Sequence, residues 1–258
     1  MRRKIIAGNW KMYKTVSEAK ELAKALKVRL VNEVKKLDVV VIPPFTDLLA
    51  VAEILRESGI SWGAQNLHWE AKGAFTGEVS GEMIKSTGAS YVIIGHSERR
   101  QYFGETDETV NRRLKAALQA GLTPIVCIGE TLGQRQASQT LQVLESQLRG
   151  ALQGFSAEQL RGVVIAYEPV WAIGTGVNAT PEQAQEAHQF VRQLIAQLAG
   201  DGCAEAMRIQ YGGSVKPDNA RALLSLPDVD GALVGGASLE ADSFAAIVKA
   251  AAELQELR

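Results

Sequence analysis

The chain has 258 residues, 46% of them hydrophobic and 22% charged, with a formal net charge of −1. That is enough apolar material for a large core, and without a basic excess neither a nucleic acid nor an anionic membrane is an expected partner. The opening MRRKIIAGNWK breaks at Gly8 and Asn9, too early for a signal core or a spanning helix, and Cys127 and Cys203 have no metal-ligand spacing, so a cytoplasmic protein with reduced thiols is expected.

Short β-branched apolar segments recur near residues 4–9, 38–42, 61–65, 91–95, 123–128, 162–167, 207–211 and 231–234. Amphipathic stretches at 17–31, 107–120, 134–152, 181–199 and 239–254 lie between or after them, with apolar residues at helical spacing. This alternation predicts a parallel sheet. VVVIP at 39–43 and YVIIG at 91–95 are apolar without interruption, as strands buried on both faces are, so helices must cover the sheet outside. Eight such units in about 250 residues fit a closed (β/α)8 barrel of the α/β class better than an open doubly wound sheet. No Pro/Gly/Ser-rich linker or charge block divides the chain, so one domain over 1–258 is expected.

A barrel of this kind carries its chemistry at the carboxyl ends of the strands. Following each predicted strand, that face receives Asn9 and Lys11, then Gln65 and Asn66, His96 and Ser97, Glu130, Glu168, the trio Gly212, Gly213 and Ser214, and finally Gly235 and Gly236. Pro169 fixes its own φ and biases Glu168 towards extended geometry, so the sixth strand stops at a carboxylate. Val170, Trp171, Ala172 and Ile173 then form an apolar tip before Gly174, Thr175 and Gly176, the composition of a hinged lid. Thr180, Pro181 and Gln183 supply a cap, a first-turn proline and a capping-box partner for the helix that follows.

Each of these residues has an ordinary reading: a solvated glutamate, a surface lysine, a hydrogen-bonded structural histidine. Together they point to one chemistry. Lys11 and Asn9 offer a cation and a neutral donor to an anionic substrate. His96 precedes SERR at 97–100, where a helix amino end disfavours the protonated imidazole and leaves a neutral donor. Glu98 is placed to hold Lys11. The glycine clusters YGGSV at 211–215 and LVGGAS at 233–238 follow the last two strands, where barrels build phosphate sites from backbone N–H groups. A carboxylate, a neutral imidazole, an ammonium and a phosphate cradle suit proton abstraction beside a carbonyl, the enediolate oxygens being held by His96, Asn9 and Lys11. His68, His96 and His188 fall in a loop, a strand end and a helix, and GTG at 174–176 lacks dinucleotide spacing, so neither metal nor cofactor is expected.

The strings GNWK (8–11), FTGE (75–78), GHSERR (95–100), FGE (103–105), YEPVWAIGTG (167–176), YGGSV and LVGGASL resemble the triosephosphate isomerase family in its bacterial form, in the family's order and over nearly the whole chain. A glutamate base beside a neutral histidine, and closure of a lid, are known features of that family, so these roles come with the resemblance. It implies that Glu168 shuttles a proton between carbons one and two of dihydroxyacetone phosphate and glyceraldehyde 3-phosphate. His96 would be the electrophile, and Lys11 and Asn9 would stabilise the intermediate. Backbone groups at Gly174, Gly235 and Gly236, with Ser214, would hold the phosphate, and the lid over 169–179 would exclude water and discourage phosphate loss.

The resemblance also explains the long loop over 66–79, which in the family enters a neighbouring subunit. A homodimer follows, with Thr76 brought to Asn9 and Lys11 of the partner subunit, and with Trp69 and Phe75 otherwise left exposed. Val177 and Asn178 stand where many members carry a basic residue, and Tyr13 replaces a commoner small polar residue; both changes are expected to act on the lid hinge or the dimer rim. Cys127 is expected to be a buried packing residue. Two other readings fit less well: a phosphosugar aldolase working through a Schiff base wants a lysine at the end of a late strand, whereas Lys11 follows the first, and a barrel that binds triose phosphates without catalysis would carry a damaged catalytic set, whereas Asn9, Lys11, His96 and Glu168 are all present.

Overall fold

The structure, a computed structural model, describes residues 2–174 and 178–256. Eight strands, β1 (Ile5–Asn9), β2 (Asp38–Ile42), β3 (Ser61–Ala64), β4 (Tyr91–Ile94), β5 (Thr123–Ile128), β6 (Val164–Tyr167), β7 (Arg208–Tyr211) and β8 (Gly231–Val234), form a closed barrel in sequence order. All pairs are parallel, and β1 closes on β8 from Ile5↔Gly231 to Gly8↔Val234. The expected strands are met to within two residues at every end.

The helices are α1 (Val16–Arg29), α2 (Leu48–Leu55), α3 (Gly81–Ser86), α4 (Ser97–Tyr102), α5 (Asp107–Gln119), α6 (Leu132–Gln136), α7 (Thr140–Leu152), α8 (Ala157–Leu160), α9 (Pro181–Ala199), α10 (Asp201–Ala206), α11 (Pro217–Leu224) and α12 (Ala241–Glu256). The single helix expected over 134–152 is two. Thr131 caps α6, and Ser138 then takes φ 57°, a left-handed turn that ends α6 before α7 begins. The remaining caps follow the sequence closely: Thr180 accepts from the Gln183 amide, the Gln183 side chain returns to Thr180, and Pro181 occupies the first turn of α9.

Alternation along the strands sorts the core into two layers. Ile5, Ala7, Val40, Ile42, Ile93, Ile125, Cys127, Val164, Ala166 and Leu233 fill the barrel interior. Ile6, Val39, Val41, Val92, Ile94, Val126, Ile165, Tyr167, Ile209 and Tyr211 face the helices. Gln210 is fully buried, and its amide donates to the carbonyls of Ile5 and Ala232.

The amino-terminal rim is closed by charge. Arg192 of α9 reaches Asp228 and Asp230, each at 2.6 Å, and Arg2 meets Asp230 at 2.6 Å. Asp38 takes Arg3 at 2.7 Å and also Arg208. No helix among the described residues is long and apolar enough to cross a membrane.

Candidate active site

At the opposite rim a cavity of about 720 Å³ opens among the strand ends, with Asn9, Lys11, His96, Glu168, Gly174, Ser214, Gly235 and Gly236 all in its wall. Seven residues expected at the ends of five different strands therefore meet in one place, with Gly174 of the lid beside them. Thr175 and Gly176, expected in the lid, lie outside the described residues, as does Val177.

Glu168 follows β6 and is 1% exposed. Its Oε1 lies 2.9 Å from His96 Nε2, and its Oε2 accepts the Ser97 amide at 2.8 Å. Ser97 starts α4, so that amide is one of the free donors of a helix amino end. Burial opposes the Glu168 charge, yet His96, the Ser97 N–H and Lys11 together hold its pKa below the ordinary carboxylate value. Gly212 makes room for the side chain: a Cβ there would stand 2.9 Å from Glu168 Cγ.

His96 ends β4 through Gly95, which takes φ 69°. The Glu98 amide donates to His96 Nδ1 at 3.2 Å, so Nε2 carries the proton and faces Glu168. The sequence predicts that the helix end would lower the proton affinity of His96; in this arrangement the net direction is the reverse. Burial does lower it, but the adjoining Glu168 carboxylate more than offsets burial and raises the pKa above 6.5. The backbone N–H at Nδ1 still fixes the tautomer.

Lys11 takes φ 52°, and its Nζ pairs with Glu98 Oε1 at 2.5 Å, the partner expected for it. Its amide donates to Asn9 Oδ1 at 3.0 Å, which leaves the Asn9 NH2 group as a donor. Gln65 secures this left-handed backbone by donating to the carbonyls of Lys11 (2.6 Å) and Ile42 (3.1 Å). At the far wall, a Cβ on Gly235 would fall 3.4 Å from Lys11 Cε, ordinary contact distance, so the loop after β8 lies directly against the lysine stem.

The lid starts as one 3-10 turn, Val170–Ala172, and Ile173 and Gly174 line the cavity. Its anchor is Glu130, a strand-end residue to which sequence reasoning gave no role. Fully buried after β5, Glu130 Oε1 accepts from Trp171 Nε1 (2.8 Å), Tyr167 Oη (3.1 Å) and Arg135 (3.2 Å), while the Arg135 guanidinium lies 4.6 Å over the Trp171 ring. The signal available in sequence was an apolar lid whose indole N–H must find an acceptor.

Cys127 faces the barrel interior, and burial pushes its thiol well up, so it packs rather than attacks. Phe75 and Thr76 lie away from the cavity on the exposed loop. Trp69 departs from expectation. It stacks on His68 at 4.4 Å and lies under Arg113 at 4.9 Å, so its own chain partly covers it. Among the described residues no cluster of His, Cys, Asp and Glu is placed to hold a metal ion.

Comparisons with known proteins point to one family. The sequence profile described as triosephosphate isomerase matches residues 4–251. Curated triosephosphate isomerases from Citrifermentans bemidjiense and Trichlorobacter lovleyi are 58% and 56% identical to the chain over 249 residues, covering 96% of it and 99% of theirs. The triosephosphate isomerase of Caldanaerobacter subterraneus subsp. tengcongensis is 58% identical over 248 residues, with the same coverage. By fold, by profile and by identity along its length, the chain belongs to the triosephosphate isomerase family.

Proposed function

We propose that the chain interconverts dihydroxyacetone phosphate and D-glyceraldehyde 3-phosphate, with Glu168 as the proton-transferring base and His96 as the electrophile. The observation that carries this assignment is the 2.9 Å contact between Glu168 Oε1 and His96 Nε2 at the wall of a cavity that also holds Lys11. In the resting geometry the two groups satisfy each other. A substrate carbonyl oxygen would replace Glu168 as the acceptor of the His96 Nε2–H, releasing the carboxylate towards the carbon-bound proton. Glu168 then loses the bonds to His96 and Ser97 that depress its pKa while burial remains, so it becomes a stronger base as it is freed.

Proton removal from carbon one leaves an enediolate whose oxygens face His96, the Asn9 NH2 group and the Lys11 ammonium. The proton returns from Glu168 to carbon two, while His96 gives its Nε2 proton to the oxygen on carbon two and takes up the hydroxyl proton from the oxygen on carbon one, so the site ends as it began. The backbone at Gly174, Gly235 and Gly236, with Ser214, would hold the phosphate. Closing of the lid would exclude water from the enediolate.

A homodimer is part of the same reading. The loops after β1 to β4 are neighbours around the barrel, and they expose Met12 (93%), Tyr13, Phe45, Phe75, Tyr102 and Phe103 (67%), an apolar face that calls for cover. Thr76 would then approach Asn9 and Lys11 of the partner subunit. A glycolytic enzyme with reduced thiols belongs in the cytoplasm.

The test is interconversion of the two triose phosphates by purified protein without added metal or nucleotide, with Glu168→Gln alongside. Loss of the base should lower the rate by about 10²–10⁴-fold. A near wild-type rate in that variant rules out Glu168, and a folded wild type without turnover rules out the reaction.

A further inference from the structure

His188 lies midway along α9, the helix that follows the lid, and is fully buried. Its Nδ1 stands 3.2 Å from the Asp228 carbonyl, an oxygen that only accepts, so Nδ1 carries the proton and Nε2 is a bare acceptor. Among the described residues Nε2 meets no hydrogen-bond partner. The ring packs edge-on against Tyr167 at 5.8 Å and 87°, and tilted against Tyr211 at 6.2 Å and 32°. Those tyrosines are register partners at the carboxyl ends of β6 and β7.

Each tyrosine immediately precedes a part of the site. Tyr167 precedes Glu168, and Tyr211 precedes the Gly212, Gly213 and Ser214 turn. The two strand ends are tied where the Gly212 amide donates to the Tyr167 carbonyl at 2.7 Å. Tyr167 also donates to Glu130, which holds the lid through Trp171. The Tyr211 hydroxyl is buried, which raises its pKa to about 12 against the pull of the Ala179 backbone at the other end of the lid, and it makes no hydrogen bond among the described residues.

We infer that His188 is a positioning residue for the isomerisation: its ring is the wedge that sets the spacing of the base-bearing and phosphate-binding strand ends and steadies both ends of the lid. The wedge is anchored from outside the barrel. Besides His188, the Asp228 carbonyl accepts Arg192 at 3.1 Å, and the Asp228 carboxylate takes Gln185 and Arg192, each at 2.6 Å. The ring therefore has a fixed backing on one side and two aromatic contacts on the other, and a displacement of about 1 Å at the strand ends is enough to lower a rate by 10²-fold.

This inference rests on the isomerase assignment, and its test separates the two. His188→Asn keeps an N–H for the Asp228 carbonyl and removes the ring; His188→Phe keeps a ring and removes the hydrogen bond. Turnover per folded molecule and the fraction of substrate lost as inorganic phosphate are measured for both, with thermal melts. His188→Asn is expected to lower kcat by about 10-fold, with little change in KM, and to raise phosphate release. His188→Phe is expected to stay within about 2-fold of wild type while melting earlier. Equal losses in both variants, or wild-type rate and partition in both, overturn the role of the ring. If His188→Asn does not fold, His188→Gln, also without a ring, takes its place. A wild type that does not isomerise refutes the assignment itself.

Discussion

Gly212→Ala probes how tightly the base is held. The added Cβ would stand 2.9 Å from Glu168 Cγ, 3.1 Å from the Tyr167 carbonyl oxygen and 3.6 Å from its carbon. Carbon–carbon contacts are comfortable at about 3.5–4.0 Å, so the Glu168 contact is short by roughly 0.6–1 Å. Neither neighbour yields freely. The Tyr167 carbonyl is fixed by the Gly212 amide at 2.7 Å, and Glu168 is held at both carboxylate oxygens. Relief must come from parting the ends of β6 and β7 or from breaking the bonds to His96 and Ser97. Overpacking of this kind costs about 1–3 kcal/mol, and a base displaced by that distance should cost on the order of 10²-fold in kcat. The assay pairs kcat for isomerisation with urea unfolding. Gly133→Ala, which meets nothing within 4 Å on α6, serves as the control and should be neutral or slightly stabilising. A Gly212→Ala variant with wild-type kcat and unfolding midpoint would show that Glu168 has slack the structure does not give it.

Two further outcomes follow from groups away from the reacting carbons. Burial lowers the His188 pKa from 6.5 to about 4, with Asp228 and Asp230 pulling it up and Arg192 pushing it down. The unfolded chain therefore binds this proton first, and stability should fall as pH drops from about 6.5 to about 4 by roughly 3 kcal/mol. In unfolding curves across that range His188→Phe should lack this component, and an unchanged slope would contradict it. Replacing Thr76 by Arg on the exposed loop should weaken the proposed dimer and lower activity together, read by sedimentation and turnover at matched concentrations; full activity in a monomer would sink that interface.

Strand positions were legible because the barrel buries both faces of each segment, as in Val39, Val40 and Val41, and burial on both faces leaves a continuous apolar run. The break at Ser138 was not, because Gln134, Arg135, Gln136 and Ser138 suit one long solvated helix as well as two short ones. Shorter helices such as α3 and α8 offer too few turns for periodicity to show. Strand-end position pointed to Asn9, Lys11, His96, Glu168, Ser214, Gly235 and Gly236, which share the cavity, and the Lys11–Glu98 pair was legible beside them. What it could not supply was connection. Glu130, Gln65 and His188 act through partners distant in sequence, and no local spacing announces that a carboxylate after one strand receives an indole from the lid after the next.

The rim of charge at the amino ends of the strands divides the molecule's capacity to change. Arg2, Arg3, Asp38, Arg192, Arg208 and Asp230 knit together elements from both ends of the chain on the face away from the cavity. Apart from Arg192, whose contacts with Asp228 back the His188 ring, thermal tolerance can be tuned there by altering Arg2, Arg3, Asp38 or Arg208 without touching a group that meets substrate or positions one that does. The usual conflict between rigidity and turnover, in which a firmer scaffold blunts a mobile site, is eased when the two reside on opposite faces.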